Sequence, residues 1–478
     1  MSFDAIIIGS GPNGLAAAIR LAQEGLSVKV FEKADTVGGG TRTQELTQPG
    51  FHHDICSAIH PLAKASPYLK TLPLAEYGLE WIQPEVPVAH PLDDQPAGAL
   101  FRSFDKTVAH IDEDDKSNYA HSIAPFLDNW DGLLTDILAP FSLLPSHPFK
   151  MARFGIQGLQ SAERFAKRFK SKKMRATFAG LAAHGIMPFD ATATAAIGLV
   201  LGISAHTVGW PYPKGGSHQI TKAMAAYLEA LGGKIETGVE VSRLEQLPKS
   251  SAIFFNNTPQ QILAIGGDKL SGSYRKKLQH FEYGSGVFKL DFALSEPIPW
   301  KDDLCRKAGT VHLGGTFEEI AKAEKETANG KHPDNPYVLV AQQSIGDDSR
   351  APSGNHTGWA YCHVPNGSTE DMSEPIINQI ERFAPGFRDC IIDQHSMNTE
   401  AMHTYNPNYI GGDINGGRAD ITQLFTRPAG LFDPYHIPET SMYICSSSTP
   451  PGGGVHGMCG YHAAESALKN EYRTPKWL

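Results

Sequence analysis

Glycines near the start of the chain have the spacing of a phosphate-binding turn. Residues 9–14 read Gly-Ser-Gly-Pro-Asn-Gly, which is the pattern GxGxxG. In such a turn the first glycine allows a sharp bend, the second lets the backbone approach a pyrophosphate, and the third lets a helix pack closely on a strand. The N–H groups and partial positive charge of the helix N-terminus would then face the phosphates.

The pattern requires a strand before it and a helix after it, and the sequence predicts both. Residues 3–8 form a short apolar run typical of a buried parallel strand. Residues 15–24 are rich in Ala and Leu, which predicts a helix that Gly25 ends. Residues 26–31 predict a second strand, with Glu32 at its carboxyl end. An acid there can accept hydrogen bonds from ribose hydroxyls, which favours FAD or NAD over NADP. The alternative is a glycine turn that serves packing alone.

A second glycine cluster distinguishes the two dinucleotides. Residues 38–43 read Gly-Gly-Gly-Thr-Arg-Thr, within ten residues of Glu32. An NAD site does not require a second cluster at this place. An FAD site does, because its longer cofactor continues past the pyrophosphate and the chain must pass close beside it. The sequence therefore predicts FAD.

Composition and charge exclude several classes of protein. The chain has 478 residues, 41% of them hydrophobic and 19% charged, as in an ordinary globular protein. A net charge of −9 without a long basic run argues against a nucleic-acid partner. The six scattered cysteines form no CxxC pair, which favours reduced thiols and a cytoplasmic location. We find no signal peptide, and the apolar run 191–205 is too short to cross a bilayer, so we expect a buried helix there.

Later segments indicate that the nucleotide-binding domain is built from separate parts of the chain. Residues 218–231 predict a helix, residues 234–244 alternate as a strand does, and residues 252–255 and 443–445 predict further strands. We predict an α/β fold in which a discontinuous Rossmann-type FAD-binding domain comprises residues 1–75, 213–270 and 425–478. Residues 76–212 and 271–424 are expected to form an interleaved α+β substrate domain.

Three stretches resemble a known family. The segments "IIIGSGPNGLAAAIRLAQEGLSVKVFEK", "GWPYPKGGSHQITKAMAAYLEALGGKI" and "TPPGGGVHG" are similar to those of the phytoene desaturase-like FAD oxidoreductases, part of the flavin amine oxidase superfamily. The similarity covers nearly the whole chain. It is greatest to the phytoene-dehydrogenase-like branch, which includes the animal "pyridine nucleotide-disulfide oxidoreductase domain-containing" proteins. Pro450 stands where many carotenoid desaturases have His, so a carotenoid substrate does not follow.

The resemblance implies noncovalent FAD and roles for several residues. Val241 matches the valine whose backbone pairs with adenine, and Lys289 matches a lysine that approaches flavin N5 through a water. An ordinary lysine flanking a strand is the alternative for Lys289. Gly453 and Gly454 are expected to pass against the isoalloxazine ring.

The predicted site is thus one candidate catalytic residue, Lys289, and a set of cofactor-binding residues. That set is Gly9, Gly11, Pro12, Asn13, Gly14, Glu32, Lys33, Gly38, Gly39, Gly40, Thr41, Arg42, Val241, Gly453, Gly454 and Val455. His456, Cys459 and His462 have the spacing HxxCxxH, but no fourth ligand is evident, and we predict no metal.

These observations predict an FAD-dependent oxidoreductase that takes a hydride from a largely apolar or lipid-like small substrate. Electrons would then pass to oxygen, a quinone or another acceptor. The alternatives are a flavin amine oxidase, a saturase or isomerase that uses reduced flavin, and an FAD-bound interaction module without turnover. The basic stretch 167–175 could lie on an anionic membrane surface or be a solvated helix face.

Overall fold

A computed structural model describes residues 2–142 and 144–472 of the chain. Met1 and residues 473–478, at the two ends of the predicted FAD-binding domain, lie outside the described residues. The domain boundaries stay a prediction.

The strands are short, and many are buried on both faces. They are β1 Phe3–Ile8, β2 Val28–Phe31, β3 Thr43–Glu45, β4 His52–Asp54, β5 Trp81–Ile82, β6 Val86–His90, β7 Gly98–Leu100, β8 Tyr212–Pro213, β9 Lys234–Glu236, β10 Ser250–Phe255, β11 Gly286–Leu294, β12 Ala308–Leu313, β13 Val338–Ala341, β14 His356–Val364, β15 Ile391–Met397, β16 His436–Ile437 and β17 Met442–Ile444.

The helices surround these strands. They are α1 Pro12–Gln23, α2 Pro61–Ala65, α3 Phe104–His110, α4 Glu113–Leu127, α5 Trp130–Ile137, α6 Pro148–Gly158, α7 Ala162–Ala166, α8 Lys172–Ala182, α9 Ala195–Thr207, α10 His218–Ala230, α11 Pro259–Gly266, α12 Gly272–Gln279, α13 Asp303–Arg306, α14 Phe317–Ala328, α15 Ser373–Phe383, α16 Phe387–Cys390, α17 Thr399–Tyr405 and α18 Met458–Ala467.

The first sheet holds the predicted nucleotide-binding turn. Its six strands have the order β16-β17-β10-β1-β2-β9, and all neighbours are parallel except β16 and β17. β1 lies at the centre, so its apolar residues are covered on both sides. The predicted unit of strand, glycine turn, helix and second strand is confirmed. The mixed α/β class and Rossmann-type arrangement are confirmed with it.

The second sheet carries the other wall of the site. Its seven strands have the order β15-β11-β14-β13-β12-β6-β7, and all neighbours are antiparallel except β12 and β6. One face packs into its own core, which includes Phe288, Leu290 and Phe292 of β11. Residues of the opposite face, among them Leu339 and Tyr361, pack in the other core, where α8 and α14 lie against the sheet.

One segment differs from the sequence-based expectation. The strand predicted over 234–244 ends at Glu236, because Gly238 turns the chain with φ +71°. Backbone bonds from Gly238 N to Ala34 O and from Val239 N to Glu32 O nevertheless keep this segment beside the end of β2. The turn brings Val241 to the same edge of the sheet as Glu32.

The basic stretch 167–175 joins α7 to α8. Its apolar neighbours Phe165, Phe169 and Met174 are buried in the core. Lys172 and Lys173 pair with Asp94 and Asp112, at 2.8 and 2.7 Å. These contacts lend no support to membrane contact by this stretch, which stays a prediction. Within residues 2–142 and 144–472, no helix combines the length and apolarity that a membrane crossing requires.

Candidate functional site

A cavity of about 720 Å³ is lined by residues of both sheets. One part, which we call the nucleotide half, lies at the carboxyl ends of β1 and β2. The other part, which we call the apolar half, lies against α9 and the second sheet. The apolar half is lined by His184, Ile186, Ile197, Leu201, Trp210, Thr310, Leu339, Trp359 and Tyr361.

The structure brings most of the predicted cofactor-binding residues to this cavity. Those that line it are Gly9, Gly11, Pro12, Asn13, Glu32, Lys33, Gly39, Gly40, Thr41, Arg42, Val241, Gly453, Gly454 and Val455. Gly14, Gly38 and Lys289 are not among the lining residues. The roles of all these residues toward a cofactor stay predictions.

The N-terminus of α1 opens into the nucleotide half. Gly11 is the N-cap residue, and no side chain caps the helix. Pro12, at the first helical position, has no N–H to satisfy. The N–H groups of the first turn therefore lack intrahelical partners and are available to an anion such as a pyrophosphate. A dinucleotide fits this feature of the cavity.

A buried carboxylate lies at the end of β2. Glu32 Oε2 accepts from Ser10 N at 2.9 Å and from Ser10 Oγ at 2.6 Å. Its Oε1 accepts from Ala34 N and from Arg42 Nη2, both at 2.9 Å. These bonds fix Glu32 beside the glycine turn and join it to the second glycine cluster, which continues into Arg42.

Gly14 and Gly38 do not line the cavity, but each leaves space that a neighbouring part of the chain occupies. A Cβ on Gly14 would overlap the carbonyl oxygen of Gly9, so this glycine lets α1 pack against the turn. A Cβ on Gly38 would lie 3.1 Å from Arg42 Cγ and 3.1 Å from Thr221 Oγ1. Gly38 thus makes room for the side chain that bonds to Glu32.

The C-terminal glycines have two different surroundings. Gly453 and Gly454 line the cavity, and Gly454 has φ +124°, which favours glycine. Gly460 lies in α18 instead, where an added Cβ would overlap the backbone oxygen of Asn13 in α1. The last glycine therefore allows α18 to pack directly on the helix that follows the nucleotide-binding turn.

Lys289 is buried beside the cavity wall, on the same face of the second sheet as Tyr361. It lies opposite Tyr361 across β11 and β14, and Tyr361 lines the cavity. The Lys289 ammonium is 1% exposed and pairs with Asp291, while its Nζ lies 5.7 Å from the ring centroid of Trp359. Burial raises the pKa of Asp291 to about 6, and the neighbouring Lys289 opposes that rise.

A second buried charge cluster holds the segment before the cavity residues 56–63. Asp54 accepts from Thr43 Oγ1 at 2.6 Å, from Ser217 N at 2.7 Å and from Arg350 Nη1 at 3.1 Å. Although burial acts to raise it, the Arg350 guanidinium keeps the pKa of Asp54 below its usual value. Asp54 thus stays ionised and fixes the chain that leads to His60.

Sequence reasoning missed the wall of the apolar half. Thr310, Ala341 and Trp359 face one another across β12, β13 and β14, and His312, Leu339 and Tyr361 form the next row. The alternation of residue types along the strands, with a period of two, could have indicated that one face of the sheet differs from the other. In "HTGWAYCHV", residues 357, 359, 361 and 363 are large or polar, whereas Ala360, Cys362 and Val364 pack into the second core.

His456, Cys459 and His462 have separate hydrogen-bond partners. His456 Nδ1 accepts from Met458 N at 3.0 Å, and His462 Nε2 donates to Leu138 O at 2.9 Å. Cys459 Sγ lies 3.5 Å from the carbonyl oxygens of Thr449 and Gly452. Among the described residues, no group of three His, Cys, Asp or Glu side chains is placed to hold a metal ion.

Comparison with known sequences agrees with this geometry. Residues 7–72 match the NAD(P)-binding Rossmann-like domain family. The chain is 23% identical to rat pyridine nucleotide-disulfide oxidoreductase domain-containing protein 2, over 98% of this chain and 94% of that protein. It is 24% identical to the 4,4'-diapolycopen-4-al dehydrogenase of Metabacillus indicus, over 94% and 93% of the two chains. It is 21% identical to a lycopene-forming phytoene desaturase of Paracoccus, over 95% of each.

Solved structures share the fold. An oxidoreductase from Methanosarcina mazei superposes with a TM-score of 0.66 at 17% identity, covering 98% of this chain and all of the other. A double mutant of putrescine oxidase superposes with a TM-score of 0.63 at 18% identity, covering 99% of this chain and all of the other. With the open helix N-terminus and Glu32 at the end of β2, these findings assign the chain to the FAD-dependent oxidoreductases; it is similar over nearly its whole length to phytoene desaturase-like proteins and shares its fold with putrescine oxidase.

Proposed function

We propose that this oxidoreductase dehydrogenates a largely apolar substrate, in the manner of a desaturase, and passes the electrons to oxygen, a quinone or another acceptor. Relatives named as a desaturase and as an aldehyde dehydrogenase of carotenoids support this choice. A flavin supplies the hydride-accepting chemistry when bound. The chain's own residues bind and orient the two molecules.

The observation that carries the proposal is the chemistry of the apolar half. Ile186, Ile197, Leu201 and Leu339 supply aliphatic surface, and Trp210 supplies an aromatic ring. The carboxylates that line the cavity, Glu32 and Glu240, both belong to the nucleotide half, and Glu240 pairs with Lys33 at 2.8 Å. An apolar molecule would find here a surface that excludes water.

In the nucleotide half, we propose that the N–H groups at the start of α1 hold the pyrophosphate and that Glu32 accepts from the ribose hydroxyls. The backbone of Val241 would contact the adenine. Gly453 and Gly454 would let the chain lie against the flavin ring. These assignments are supported by the positions of the residues around one cavity.

The amine oxidase alternative has less support from the site. Binding a protonated amine away from water requires a compensating charge or strong acceptor. The buried carboxylates near the apolar half are already paired: Asp291 with Lys289, Asp54 with Arg350 and Glu324 with His363. The putrescine oxidase likeness is a likeness of fold, so it does not decide between the two substrates.

Two experiments test the proposal: reoxidation of the reduced flavin by candidate acceptors, and reduction of the oxidised flavin by candidate substrates. The bound flavin is reduced by light under anaerobic conditions and then mixed with oxygen or a soluble benzoquinone. Rapid return of the visible flavin absorbance supports turnover, whereas a flavin that neither acceptor reoxidises favours the interaction module.

In a separate anaerobic mixing experiment, bleaching of the oxidised flavin by octylamine but not by a hydrocarbon polyene would favour the amine oxidase.

A further inference from the structure

The apolar half contains a histidine on a wall that is largely hydrophobic. His184 follows α8 in a short turn and is half-buried, with its ring on the cavity wall. Its Nε2 lies 2.9 Å from His312 Nε2, in a buried pair that must share one proton. In the described part of the chain, Nδ1 of His184 has no hydrogen-bond partner, so it is the nitrogen available to a ligand.

The ring of His184 is held in place from two sides. Trp210 packs edge-on against it with the ring centroids 5.7 Å apart, and Trp210 also lies 5.9 Å from the His312 ring. A turn of the His184 ring would break the bond to His312. The orientation that presents Nδ1 is therefore fixed by packing.

A second polar group lies on the same wall. Thr310 stands two residues before His312 on β12, and both side chains point to the same face of the sheet. Thr310 lines the cavity, is fully buried, and its Oγ1 has no hydrogen-bond partner among the described residues. A buried hydroxyl without a partner costs free energy, which a ligand group could recover.

The site also restricts the charge of that ligand group. Burial lowers the pKa of His184 to about 3 and also lowers that of His312, so both rings are neutral at pH 7. The buried cations Lys289 and Arg350 already pair with Asp291 and Asp54. A neutral group that forms hydrogen bonds suits this wall better than a carboxylate or an ammonium.

We propose that the apolar half binds a neutral oxygen substituent, a hydroxyl or a carbonyl, on an otherwise apolar substrate, and that His184 and Thr310 form hydrogen bonds to it. Two neutral arrangements of the His184–His312 pair exist: when His184 Nε2 donates to His312 Nε2, His184 Nδ1 is an acceptor, and when His312 Nε2 donates instead, His184 Nδ1 carries a proton and His312 Nδ1 carries none. The wall would therefore accept either oxygen group. This inference rests on the proposed function, because it assigns the same cavity to an apolar substrate.

Binding of matched eight-carbon probes to the FAD-loaded protein tests the inference. Octan-1-ol, octan-2-one, octane, octanoate and octylamine are titrated, with affinity measured by calorimetry and by perturbation of the flavin absorbance. His184→Phe and Thr310→Val are each expected to weaken octanol and octanone binding three- to tenfold relative to their effect on octane. Thr327→Val is the matched control: Thr327 is buried, its hydroxyl also lacks a partner among the described residues, and it lies on α14 outside the cavity wall.

The outcomes separate this inference from the proposed function. Equal effects of Thr310→Val on octanol and octane would overturn the inference and leave the apolar site intact. Tighter binding of octanoate than of octanol would also overturn it. Binding of octylamine without binding of octane would contradict both the inference and the proposed function. Because Thr310→Val nearly preserves volume, it keeps the test valid if His184→Phe does not fold.

Discussion

Arg42 and Glu32 form a buried ion pair that joins the two glycine clusters of the nucleotide half. Arg42 Nη2 donates to Glu32 Oε1 at 2.9 Å, and the two residues are 4% and 8% exposed. Arg42 Nε also donates to Thr36 O at 3.0 Å, which fixes the connection between β2 and the second cluster. The pair therefore shapes the surface that would face the ribose.

Replacement of Glu32 should weaken FAD binding. Glu32→Ala is expected to reduce affinity about ten- to a hundredfold, the range for loss of a hydrogen bond to a charged group. FAD per chain and the dissociation constant of the reconstituted protein give the measurement. Glu240→Gln is the control, since Glu240 also lines the cavity but is exposed. Equal FAD affinity in Glu32→Ala and wild type would remove Glu32 from the site.

Gly454 should be required by the cofactor site rather than by stability alone. Its φ of +124° disfavours a side chain, and an added Cβ would lie 3.1 Å from His456 Cδ2 and 3.3 Å from Leu62 Cδ1. Gly454→Leu should therefore lower FAD content or the flavin reduction potential. Gly430→Ala, at a position with open space, should change neither. A Gly454→Leu protein with wild-type FAD content, potential and turnover would show that this glycine serves only the chain's own packing.

Gly460 should be required for packing of α18 on α1. An added Cβ would overlap the Asn13 oxygen and lie 2.9 Å from Ala17 N, so Gly460→Ala must push the two helices apart. Overpacking of this kind costs about 1–3 kcal/mol. Urea unfolding of the variant should show a lower free energy of unfolding than that of Gly430→Ala. Equal stability of the two variants would contradict the close helix contact.

Lys289 can be tested separately from its role in the buried pair. Lys289→Met leaves the Asp291 carboxylate without its partner and should destabilise the fold by about 3–5 kcal/mol. The double variant Lys289→Met, Asp291→Asn removes both charges and should recover part of that loss. If Lys289 acts at the flavin, both variants reoxidise more slowly with oxygen at unchanged FAD content. Wild-type reoxidation kinetics in the double variant would assign Lys289 a purely structural role.

Stability should fall as the solution is acidified. Burial lowers the pKa of His60, His90, His456 and His462 from 6.5 to about 4. Between pH 4 and pH 6.5 the unfolded chain binds more protons than the folded chain. The free energy of unfolding therefore increases as the pH rises through this range and decreases as the pH falls through it. His456→Asn should reduce this slope by up to about 1.4 kcal/mol per pH unit. An equal slope for His456→Asn and the wild-type protein would contradict the assignment.

The nucleotide half could be predicted because its constraints are local in sequence. The turn at residues 9–14, the helix after it and Glu32 lie within one strand–helix–strand unit, where each residue type has a defined place. The predicted strand over 234–244 was too long because alternation continues past Gly238, where the backbone turns. Local patterns do not report such a turn when a single glycine makes it.

The apolar half could not be predicted in the same way. His184 and His312 are 128 positions apart and meet because the turn after α8 packs on β12. Thr310 and Trp359 share a wall because β12, β13 and β14 pair with one another. The order of strands in a sheet cannot be inferred from any single segment of the sequence. The alternation within β14 did mark one face as unusual, but it did not show what that face would meet.

The most direct test of the account is the mass of the product. The FAD-loaded protein is incubated in detergent with a benzoquinone acceptor and a panel of long hydrocarbon polyenes, each with and without a hydroxyl or carbonyl group, and the same reactions without protein serve as control. Dehydrogenation by this protein gives a product lighter by two hydrogens per turnover, together with an equal amount of reduced quinone. Reduced quinone formed only when octylamine replaces the hydrocarbon, with octanal as product, would contradict it.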